Sequence, residues 1–97
     1  MSLADQFAAA RADSLARDAR NRAAIADESK PAVFASRDGR MLYTVTGSTK
    51  GARYQVTVWI AGEPVSDSQH ETIDGILSYY RSELYALATA HDLETGN

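Results

Sequence analysis

The sequence predicts one small α+β domain in the order αβββα, with room for a short fourth strand. Three observations carry that reading. An Ala/Arg-rich stretch runs from Leu3 to Glu28 without glycine or proline, strongly alternating runs follow it, and an apolar stripe at helical spacing occupies the C-terminal third. With 97 residues there is room for one core and no cofactor domain of ordinary size. The expected layout is an N-terminal helix over 2–28, an antiparallel meander over 32–66, a C-terminal helix over 68–91 packed on one sheet face, and a frayed polar end over 92–97.

Ser2-Leu3-Ala4-Asp5 has the capping pattern S/T-x-x-acid, which places the first helix start at Leu3. At 100° per residue two apolar stripes appear. Ala8, Ala12, Leu15, Ala16, Ala19, Ala23 and Ala26 form one, and Leu3, Phe7, Ala10 and Ile25 the other. Asp13 with Arg17 and Asp18 with Arg22 are spaced to form i,i+4 pairs with the acid first, the favourable order. Lys30-Pro31 ends the helix, because proline disfavours helical geometry before it and lacks an amide hydrogen.

Ala32–Arg37 and Arg40–Thr46 flank Asp38-Gly39, a dipeptide suited to a type I′ hairpin. A two-residue loop there pairs Phe34 with Tyr43 and Ala32 with Val45. The run from Arg53 to Ala61 alternates cleanly, and pairing Val45 with Val56 sets Tyr43 opposite Val58 and Met41 opposite Ile60 on one continuous core face. Gly62-Glu63-Pro64 turns the chain, and Val65-Ser66 is a short edge strand. Ser68-Gln69-His70-Glu71 reads as a second capping box, opening a helix whose stripe is Ile73, Ile76, Leu77, Tyr80, Leu84, Leu87 and Ala88.

The opposite sheet face carries Val33, Ala35, Leu42, Thr44, Gln55, Thr57 and Trp59, which is too apolar for plain solvent surface. Either the N-terminal helix covers it or a second chain does. As a contact surface it would anchor on Trp59 with Leu42 beside it and Val33, Thr44 and Thr57 around them. Tyr79 and Tyr85, off the core stripe, form a weaker second surface.

The net charge of −3 is unevenly divided. Residues 1–61 hold nine basic against six acidic residues, a net of +3, and residues 62–97 one against seven, a net of −6. The cations Arg11, Arg17, Arg20, Arg22, Arg37, Arg40, Lys50 and Arg53 are the nucleic-acid contacts to consider, with Arg37 and Arg40 at one end of the sheet and Lys50 and Arg53 at the other. In element order, residues 3–91 resemble the double-stranded RNA-binding domain. That family grips phosphate through a lysine-rich start to its last helix, where this chain has Ser68, Gln69, His70, Glu71 and Asp74.

No catalytic residue is expected. The segment His70-Glu71-Thr72-Ile73-Asp74 has an aspartate where a zinc signature needs its second histidine, no nucleophile elbow is present, and Gly47-Ser48-Thr49-Lys50-Gly51 lacks phosphate-loop order and precedes a strand. No metal or cofactor is expected. The absence of cysteine excludes disulfides and thiolate chemistry and suits a reducing compartment such as the cytoplasm, and no run has the length or apolarity of a signal or a membrane span. The expectation is a non-enzymatic protein-binding module, a small bacterial or phage regulator, inhibitor or adaptor, open to homodimerisation. The alternative is a small nucleic-acid binder.

Overall fold

The computed structural model describes residues 2–95. Its elements are α1 (Leu3–Ala26), β1 (Ala32–Ala35), β2 (Met41–Gly47), β3 (Tyr54–Ile60), β4 (Glu63–His70), α2 (Ile73–Tyr80), a 3₁₀ turn (Arg81–Glu83), β5 (Ala86–Leu87) and α3 (Ala90–Thr95). The strands make one antiparallel sheet in the order β4-β3-β2-β1-β5. This is a small α+β domain with a long N-terminal helix and a later helix on the sheet.

Ser2 caps α1, its hydroxyl accepting the Asp5 amide at 3.2 Å. The β1–β2 register pairs Phe34 with Tyr43, and β2–β3 pairs Leu42 with Trp59 and Val45 with Val56, as the alternation predicts. The corner between β1 and β2 differs from the expected type I′. Only Gly39 is left-handed, at φ 74°, and its amide closes onto the Ser36 carbonyl while Asp38 accepts from the Ser36 hydroxyl and the Arg40 amide. The primed geometry lies instead at Ala61-Gly62, where both residues have positive φ (53° and 80°).

That turn launches the principal departure from expectation. The chain from Glu63 to His70 is a full edge strand, with the register shifting at Val58/Trp59 and Pro64 placed on the open edge, where its missing amide costs no ladder bond. Ser68-Gln69-His70-Glu71 is therefore no helix cap. Thr72 caps α2, accepting the Gly75 amide at 3.0 Å. The expected helix over 68–91 also ends early, at Arg81, held at φ 50°. The chain reverses there so that Leu84 enters the core and Ala86–Leu87 pair with the free edge of β1, leaving Leu87 exposed instead of on a helical core stripe. The element order thus departs from αβββα. Residues expected to fray include the turn of α3, and Gly96 and Asn97 lie outside the described residues.

Phe34, Tyr43, Val45, Val56 and Val58 from the sheet meet Ile76, Leu77 and Tyr80 of α2, Leu84, and Ile25 of α1 in one core cluster. Ile60, expected on this face, is 43% exposed at the strand end. Of the two α1 stripes, the core takes the one bearing Ile25, through Asn21, Ala24 and Ile25. Everything before Arg17 in α1 is exposed, including Leu3 at 64%, Phe7 at 67% and Leu15 at 60%. The helix projects, and the molecule measures 47 × 29 × 23 Å with a radius of gyration of 14.3 Å, above the roughly 13 Å usual for a compact chain of this length.

Candidate interaction surface

The polar anchor of α1 fixes where its free half points. Asn21 is buried and donates from Nδ2 to the Leu84 carbonyl at 2.8 Å. Arg20 donates from Nη2 to the Tyr85 carbonyl at 2.8 Å and, through Nε and Nη2, to Asn21 Oδ1. The helix is thus bound to the reversal after α2. Leu3, Phe7, Ala10, Ser14, Arg17, Asn21 and Ala24 follow alternating four- and three-residue spacing, so they lie along one stripe. Its lower part is packed into the body and its upper part, Leu3 to Ser14, continues past the body over about 17 Å at 1.5 Å per residue.

At the foot of the free half stands a group that the sequence did not place together. The guanidinium carbons of Arg17 and Arg37 lie 4.7 and 4.6 Å from the Tyr85 ring centroid, while Arg20 holds that residue's carbonyl. Arg17 is on α1, Arg37 on the β1–β2 corner and Tyr85 between the 3₁₀ turn and β5. Among the described residues neither Arg17 nor Arg37 forms an ion pair. The expected Asp13–Arg17 and Asp18–Arg22 pairs are absent because Arg17 turns to Tyr85 and Arg22 pairs with Asp74. Lys50 is paired with Asp67 at 3.4 Å and Arg53 stacks on Tyr54 at 5.4 Å. The eight candidate cations therefore do not form one patch. Arg17, Arg20 and Arg37 converge, Arg40 lies exposed in the same corner as Arg37, and Arg11 is exposed farther up α1.

The sheet face opposite the core is less open than the alternation suggests. Val33, Leu42 and Thr44 are buried at 5%, 2% and 7% exposure, which corrects their reading as contact residues. The Trp59 indole donates to Thr44 Oγ1 at 3.0 Å, reaching diagonally past Leu42, so the tryptophan serves this face from within. Trp59 and Thr57 remain partly exposed. Nor does α1 cover that face, since Ile25 joins the cluster on the Phe34 side.

Tyr79 is exposed at 67% and lies edge-on to His70. The i,i+2 spacing on β4 places Ser68 and His70 side by side. Ser68 Oγ is 2.7 Å from His70 Nε2 and 2.6 Å from the Tyr80 hydroxyl, a juxtaposition that a helix over 68–70 would not make. Burial holds the His70 pKa below its usual value, which favours the neutral ring, and the Ser68 hydroxyl bridges it to the Tyr80 hydroxyl. The chain binds the edge strand to α2. Burial also raises the Tyr80 phenol pKa, and burial together with Glu83, which accepts from the Tyr43 hydroxyl at 3.3 Å, pushes that of Tyr43 up to about 12.

Among the described residues no group of three or more histidines and carboxylates gathers at metal-binding spacing, and no helix is long and apolar enough to cross a membrane. The cavities are open grooves. One of about 520 Å³ runs between the lower half of α1 and β1, lined by Ala23, Ala24, Pro31, Val33 and Leu87. Compared with known proteins, the chain matches no family model, no curated protein and no solved structure.

Proposed function

We propose that this chain is a non-catalytic protein-binding module, a small cytoplasmic regulator or adaptor that holds its partner along the projecting half of α1. One observation carries the reading. The helix face that packs Asn21, Ala24 and Ile25 into the body continues through Ser14, Ala10, Phe7 and Leu3, all exposed, with Phe7 and Leu3 as its large apolar side chains. Leu3 and Phe7 are exposed in the isolated chain, so a partner that covers them would add hydrophobic stabilisation that the free half otherwise lacks. An exposed phenylalanine and leucine in register are the anchors a partner helix would use.

Hydrogen exchange on the dilute protein, followed by light scattering over a concentration series, tests this. Amides of residues 3–16 are expected to exchange far faster than those of 20–26, and to become protected when the partner binds. Light scattering separates self-association from a foreign partner: a mass that doubles with concentration and returns to the monomer with Phe7→Asp would put a second copy on this face in place of another protein. If amides 3–16 of the dilute monomer are as protected as 20–26, the free half needs no partner and the reading fails.

A further inference from the structure

We propose that the corner between the free half of α1 and the body receives an acidic, apolar-faced helix of the protein partner, whose carboxylates pair with Arg17 and Arg37 on Tyr85. This rests on the docking reading above and names the partner's chemistry.

The stripe and the cation group are one surface. Arg17 is the next member of the series Leu3, Phe7, Ala10, Ser14, so a helix lying along the free half meets the two guanidiniums as it reaches the body. Leu3, Phe7 and Ala10 give that face a short apolar end at the four-three spacing on which another helix packs. The cations supply the second requirement. Two guanidiniums over one ring repel each other, and among the described residues no acid pairs with either: Asp13 and Asp18 flank Arg17 on α1 without bridging to it, Asp38, next to Arg37, accepts from Ser36 and Arg40, and Glu83 accepts from Tyr43. Tyr85 restrains both side chains before binding, which lowers the ordering cost of presenting their N–H groups to a carboxylate.

The same group would attract phosphate, but the observations favour protein. A nucleic-acid backbone has no use for Leu3 and Phe7 on the adjoining stripe, the Tyr85 ring already carries two guanidiniums, and, while Arg40 shares the corner with Arg37, Arg22 and Lys50 are paired and Arg53 is stacked. Net charge and the acidic residues 62–97 also oppose a long polyanion.

Titration calorimetry on the full chain with three probes tests the assignment. The probes are a helical peptide with leucines at four-three spacing and flanking glutamates, the same peptide with glutamines for glutamates, and a single-stranded oligothymidylate of equal charge to the first. The glutamate peptide is expected to bind about tenfold more tightly than the glutamine one. Arg17→Gln and Arg37→Gln bring it down to the glutamine level without changing the latter, Phe7→Asp weakens both, and melting curves confirm that each variant is folded. Equal affinity for the two peptides overturns the recognition of acid and leaves the docking reading standing. Peptide binding indifferent to Phe7→Asp removes the docking reading itself. Tighter binding of the oligothymidylate, or no binding of any probe, overturns the inference.

Discussion

Ala61 sits at φ 53° in a corner whose second residue, Gly62, has the same left-handed sense. For a residue with a Cβ that conformation costs roughly 1–2 kcal/mol, and asparagine bears it better because its short amide bonds locally. Ala61→Asn is therefore expected to stabilise the fold by about 0.5–1 kcal/mol, a rise of a few degrees in Tm by thermal melting. A fall in Tm would mean that the alanine methyl makes a contact worth more than the strain. His70 behaves in the opposite sense. Its folded pKa lies below the ordinary 6.5, so in the window beneath that value the unfolded chain binds more protons and folding loses stability as pH falls. The contribution is complete above about pH 6.5. Between pH 7.5 and 5 the wild-type Tm is expected to drop further than that of His70→Gln, in which Ser68 and Tyr80 still face a hydrogen-bonding group that does not titrate. Equal drops would remove His70 as the source.

At the scale of elements, the meander was legible because two independent signals agreed: alternation fixed the faces of β2 and β3, and the turn lengths fixed their register, so Leu42 opposite Trp59 needed no tertiary information. The C-terminal third was not legible, for a physical reason. Ser66, Asp67, Ser68, Gln69 and His70 have little intrinsic strand preference, and the segment is a strand because the Ala61-Gly62 corner delivers it to the open edge of β3. Likewise, nothing local breaks the helix at Arg81. Ile76, Leu77, Tyr80 and Leu84 are core residues as their spacing predicts, yet Leu84 gets there through a reversal whose gain is the pairing of Ala86–Leu87 with β1. The candidate site suffered most. Its outer-face residues were chosen by alternation, which assigns a side but not burial, and Val33, Leu42 and Thr44 proved buried. Tyr85 was noted as off the core stripe, but its meeting with Arg17 and Arg37 depends on that reversal, which no spacing announces.

The whole molecule is a body with a lever. Among the described residues the first buried one is Asn21, so the sheet, α2 and the last turns of α1 form a core to which residues 3–16 add almost no packing. Their exposed leucines and phenylalanine gain little from the hydrophobic effect in the isolated chain, because their apolar surface has not left water. A chain lacking residues 2–14 is therefore expected to keep its fold and lose no more than about 1 kcal/mol, the scale of the lost Ser2 cap, measured as denaturant midpoint with the same m-value. Ile25→Ala in the full chain removes a core side chain at 5% exposure and is expected to cost more, on the order of 2–4 kcal/mol. That ordering is what division of labour along one helix requires: its lower turns stabilise the fold and its upper turns are held out for something else. The reverse ordering would mean that the upper turns fold back onto the body in solution, closing the corner beside Arg17 and Tyr85 from within.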